Sequence, residues 1–92
     1  MISAFVMLNV EPGRVKSLAT ELLAVKGVAE GYSVAGPFDL IAIVRVREHD
    51  ELSELVTEMI AGRPGIVSTE TMVAFRTFSK RDLDAVWDIG VD

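Results

Sequence analysis

The residues most able to do chemistry in this chain sit in one tight link, Gly36-Pro37-Phe38-Asp39, between two apolar stretches. Gly36 permits a positive φ and Pro37 fixes its own φ at a turn value. Asp39 is therefore held at the mouth of a stiff hairpin. A carboxylate in that place is a natural partner for an ammonium group, on a side chain or on a free amino acid. The alternative is a turn-capping aspartate bonded to its own backbone, and the turn taken alone favours that reading. A second polar pair lies in Gly65-Ile66-Val67-Ser68-Thr69-Glu70-Thr71. Thr69 and Thr71 are two residues apart, so they share one face of a strand, and their hydroxyls can donate and accept. Threonine is also an ordinary strand residue, chosen for its β-branch.

Other reactive constellations are sparse. His49 is the sole histidine and lies in the charged run Glu48-His49-Asp50, where a solvated surface role is expected. With no cysteine and one histidine, no metal site and no disulfide framework are expected. Glu51, Glu54 and Glu58 share one helix face, the usual mark of a solvated surface. The serines lack a histidine partner for nucleophilic catalysis, and no phosphate-cradling glycine pattern occurs. No catalytic residue and no cofactor are therefore assigned. Phe38 reads as packing beside the turn, or as a gate to a pocket.

The elements that position these residues follow from periodicity. Ile2 to Val10 reads as a strand whose even positions are all apolar, and Glu11-Pro12-Gly13 breaks it. Val15, Leu18, Ala19, Leu22 and Val25 predict a helix over Arg14 to Lys26, closed by Gly27 as a C′ residue. Val28 to Ala35 is a weaker strand and Leu40 to Arg47 a strong one. Asp50 is the expected N-cap of a second helix carrying Leu52, Leu55, Val56, Met59 and Ile60. Gly62-Arg63-Pro64-Gly65 stops that helix, and Ile66 to Phe78 reads as a long last strand. Ser79-Lys80-Arg81-Asp82 resembles a cap before a short helical tail with Leu83, Val86 and Trp87.

Strand, helix, strand, strand, helix, strand is the α+β, ferredoxin-like βαββαβ order. Right-handed crossovers put the first and third strands at the sheet centre, with both helices on one face. Phe5, Met7, Ile41 and Ile43 then make the other face apolar too. Apart from the short tail, no third layer is left in the sequence to cover it, so a dimer through the sheet is expected. A length of 92 residues suits one domain, 1–92. The net charge of −5 argues against nucleic acid as a direct partner. No basic leader and no membrane-spanning run are seen, which predicts a cytoplasmic protein outside the membrane.

Taken together, Val34-x-Gly36-x-Phe38-Asp39-Leu40 and Pro64-Gly65-Ile66-x-x-Thr69-x-Thr71 resemble the effector-binding module of Lrp/AsnC regulators, the RAM domain. The resemblance runs from Ile2 to about Phe78. It implies a ferredoxin-like module that dimerises through its sheets and assembles into octamers or similar rings. It also implies a small effector, usually an amino acid, between neighbouring dimers. Gly36, Phe38, Asp39, Thr69 and Thr71 would then line that ligand site. Regulators of this family carry an N-terminal helix-turn-helix domain, whereas the module here starts at residue 2. The expectation is a stand-alone effector module that senses an amino acid or co-assembles with a full-length Lrp/AsnC regulator in transcription regulation. Two rivals are a small dimeric ferredoxin-like monooxygenase and a structural assembly module without ligand.

Overall fold

Alternation in β1 (Ile2–Val10) puts Ala4, Val6, Leu8 and Val10 on one side, and all four are buried. The structure, a computed structural model, describes residues 1–80. β1 is followed by α1 (Val15–Leu23), β2 (Val28–Ser33), β3 (Leu40–Val46), α2 (His49–Glu54), a π-helical segment (Leu55–Ile60) and β4 (Ile66–Val73). The strands form one antiparallel sheet in the order β2-β3-β1-β4, so the two most apolar strands are central, as expected. Leu40, Ala42, Val44 and Val46 of β3 join the buried side of β1. Leu18 and Leu22 of α1, Leu52 of α2, and Leu55 and Ile60 of the π-helical segment close over them. Burying each of these larger side chains contributes about 1.5–3 kcal/mol.

The other side of the sheet has a different chemistry. Phe5 pairs with Ile43 and Met72, and Met7 with Ile41 and Glu70. Phe5, Tyr32 and Met72 are 38%, 49% and 55% exposed. The apolar second face expected from sequence is therefore present, and no helix among the described residues lies over it.

Several boundaries differ from the sequence reading. The last strand ends at Val73 rather than Phe78. Its ladder closes with Ala4 opposite Val73 and Ala74 N–H donating to Ser3 O, although β1 itself extends to Ile2. α1 ends at Leu23, before Lys26. Its cap is Ala24, and tight turns follow: Val25 N–H to Leu22 O and Val28 N–H to Val25 O. Gly27 thus lies beyond C′, though its φ of +101° confirms a need for glycine. Asp50 stands in the first turn of α2, not at its cap, which is Glu48 in extended conformation. The second helix changes winding at Leu55, where Ala61 N–H reaches back five residues to Val56 O. The expected tail with Leu83, Val86 and Trp87 lies outside the described residues.

Candidate functional site

The link between β2 and β3 is closed by Val34 N–H donating to Asp39 O, at 3.1 Å. Gly36 has φ +130° and is exposed, with open space where a Cβ would stand. Only glycine adopts such a backbone readily, so the turn's shape is set there. The amides of Gly36 and Phe38 take no part in the loop's backbone bonds or in the ladder. Phe38 is half-buried.

Asp39 is fixed to β1 twice. Its N–H donates to Leu8 O at 3.0 Å, and its Oδ2 accepts from Val10 N–H at 3.0 Å. The physical reason is a strand that ends early. Leu8 and Val10 present their backbone groups to the same side, but β3 has no carbonyl left for Val10. The carboxylate stands in for the missing acceptor. Asp39 is thus a cap, but of a strand 29 residues away rather than of its own turn. An ionised carboxylate has about four lone-pair sites, so this bond leaves capacity for an ammonium group.

Thr69 stands opposite Leu8 on the other side of β1, and Thr71 opposite Val6. Both are half-buried on the helix-covered face, at the β4 edge of the sheet. Asp39 and Thr69 therefore flank the same end of β1, two strand spacings or about 10 Å apart. Thr71 lies one pair farther along β4. The fold brings Gly36, Phe38, Asp39 and Thr69 to one end of the sheet, with Thr71 set back from it.

The group that anchors this end of β4 carries no motif. Glu21 on α1 accepts from Arg14 Nη2 and Arg63 Nη1, each at 3.3 Å. Arg14 Nη2 also donates to Pro64 O at 3.0 Å, and Glu11 N–H to Gly65 O at 2.8 Å. The Pro64-Gly65 turn is thereby tied to α1 just before the threonine strand. The sequence signal for this anchor was weak: Arg14 and Glu21 are seven apart, and so share a helical face.

On the open sheet face Tyr32 donates a hydrogen bond to Glu30, whose carboxylate lies 4.0 Å from Arg45. The bond to Glu30, and then that residue's negative charge, hold the Tyr32 hydroxyl above its ordinary value, with Arg45 opposing in part. His49 is exposed in the first turn of α2. Among the described residues no group of three or more His, Cys, Asp or Glu could hold a metal ion. No described helix is long and apolar enough to cross a membrane.

A cleft of about 610 Å³ opens at the other end of the sheet from the Gly36 turn. Its wall combines the end of β3, the residues after α1, and parts of α2 and the π-helical segment, and its charged residues are Lys26, Arg45, Arg47, Glu51 and Glu54. The candidate ligand residues are not part of it.

Residues 3–83 match the model of the Lrp/AsnC ligand binding domain. The HTH-type transcriptional regulator FL11 of Pyrococcus abyssi is 27% identical over 74 residues, 80% of this chain and 48% of that protein. The chain spans about half the length of the curated relatives it matches. The crystal structure of TTHA0845 from Thermus thermophilus superposes with a TM-score of 0.81 at 41% identity, covering 87% of this chain and 100% of that one. A feast or famine regulatory protein from M. tuberculosis, complexed with L-methionine, superposes at 0.68 with 27% identity, covering 88% of this chain and 55% of that one.

Proposed function

The chain belongs to the family of Lrp/AsnC ligand binding domains, and we propose that it is an effector module binding a small amino acid at an interface between dimers. The observation that carries this reading is the position of Asp39 and Thr69 on either side of one end of β1, about 10 Å apart, beside the exposed Gly36 turn. Asp39 would take the ligand's ammonium, and the amides of Gly36 and Phe38 its carboxylate. Thr69 and Thr71 would complete the polar shell. The L-methionine complex of the M. tuberculosis relative supports an amino acid as the ligand class. The dimer would form through the open sheet face around Phe5, Met7, Ile41 and Ile43, and dimers would build an octamer or similar ring. The transcriptional regulators among its relatives support a binding role rather than catalysis, exerted by modulating a full-length regulator without direct contact to DNA.

A thermal-shift screen of the proteinogenic amino acids tests the proposal. A ligand at about 100 times its Kd stabilises the bound state by about 2.7 kcal/mol. At least one amino acid is expected to raise Tm in a concentration-dependent way. A flat response across the whole set would overturn the reading.

A further inference from the structure

The open face of the sheet is apolar at its centre, and its polar groups are unevenly placed at its two edges. Cross-strand register sets one row over all four strands: Tyr32 on β2, Ile41 on β3, Met7 on β1 and Glu70 on β4. Residues directly opposite one another on neighbouring strands share a face, so the whole row belongs to the open side. It begins on one edge strand with a hydroxyl donor and ends on the other with a carboxylate. On the β2 side Tyr32 donates to Glu30, and Arg45 lies 4.0 Å from the same carboxylate. On the β4 side Glu70 is exposed, and its side chain has no hydrogen-bond or ion-pair partner among the described residues. One carboxylate is thus shared by two donors, while the other has none.

A second copy laid on this face meets Glu70, and a carboxylate covered without a partner is costly. Two sheets related by a two-fold axis and packed with aligned strands have two arrangements. An axis across the strands lays β4 on the β4 of the other copy and brings each Glu70 toward its own counterpart. An axis along the strands reverses the row, so β4 lies over β2 of the other copy at the same level. Glu70 then faces a tyrosine hydroxyl. Stacked sheets stand about 10 Å apart, a gap that a tyrosine and a glutamate reaching from opposite sides can span. The apolar centre, Phe5, Met7, Ile41 and Ile43, does not decide between the two, because apolar contact is non-directional. We propose that the two-fold axis of the dimer runs along the strands and that Tyr32 donates to Glu70 of the partner subunit, twice per dimer. Arg45 keeps Glu30 when the hydroxyl turns away from it. The pair fixes which edges meet, and it selects for a partner chain with an acceptor and a donor at these two places. The inference rests on the sheet-mediated dimer and adds its orientation and the residues that set it.

The test is sedimentation equilibrium of the wild type, Tyr32→Phe, Glu70→Ala and the double variant. Each single change is expected to raise the dimer Kd by about tenfold or more. The double variant is expected to match the weaker single variant, because either change alone removes the pair. Effects that multiply, or a Glu70→Ala dimer tighter than wild type, would overturn the pairing while leaving the dimer itself in place. A monomeric wild type would overturn both. A second measurement reads the orientation directly. The sequence holds no cysteine, so a single cysteine can be placed on each edge. A bis-maleimide about 10 Å long is expected to join Tyr32→Cys to Glu70→Cys in a mixture of the two chains, in preference to joining Glu70→Cys to itself. The reverse preference would show β4 lying on β4 and would overturn the proposal.

Discussion

Asp39 is the residue on which the turn site rests, and its two roles can be separated. Its Oδ2 accepts from Val10 N–H, a bond that an amide oxygen can replace. Asp39→Asn is therefore expected to keep the denaturation midpoint close to wild type while weakening amino-acid binding by one to two decades. That magnitude follows from about 1.5–3 kcal/mol for a charge-assisted bond, at about 1.4 kcal/mol per decade. Asp39→Ala removes the acceptor too, and should also lower stability by about 1–2 kcal/mol. Calorimetric titration beside urea denaturation of both variants reads the two effects. Equal affinity of wild type and Asp39→Asn would leave Asp39 as a strand cap alone. The turn was legible because Gly36 and Pro37 are local signals. The target of Asp39 was not, because Val10 N–H lies on another strand and is orphaned only by where β3 ends. Glu21 was hidden for the same reason, as its two arginine partners meet only in the folded chain.

Elements were legible where one period dominated. The apolar even positions of β1 and the near-continuous apolar run of β3 identify both central strands, and the core-facing positions of each are buried. Ends were less legible, because they depend on partners. β4 stops at Val73, its last residue paired with β1, although Phe75 and Phe78 continue an apolar composition. The π-helical winding after Glu54 has no pattern in sequence that distinguishes it from an ordinary amphipathic helix. Its close approach to Gly27 gives an element-scale prediction. Gly27→Ala must adopt φ +101° and meet Leu55 Cδ1 at 2.6 Å. Left-handed strain of about 1–2 kcal/mol and overpacking of about 1–3 kcal/mol act together there. A loss of at least about 2 kcal/mol is expected in chemical denaturation. An unchanged midpoint would show that the segment yields and that the approach is not fixed.

At the scale of the whole molecule, the described residues form a sheet with two apolar faces and helices over only one of them. Phe5 stands near the centre of the open face, 38% exposed between Ile43 and Met72. If a second copy covers it, Phe5→Asp buries a charge against an apolar partner, which costs several kcal/mol. Light scattering across a dilution series should show an oligomer for the wild type and a shift toward monomer for Phe5→Asp by at least about two decades in concentration. A folded wild-type monomer at micromolar concentration would remove the sheet-mediated dimer, and with it the site between dimers. That site is the central claim, and a crystal structure with the most stabilising amino acid tests it most directly. The predicted result is ligand density between two dimers, with the ammonium against Asp39 and a hydroxyl of Thr69 or Thr71 in contact. Density only elsewhere, with the Gly36–Asp39 turn vacant in fully liganded crystals, would contradict the account.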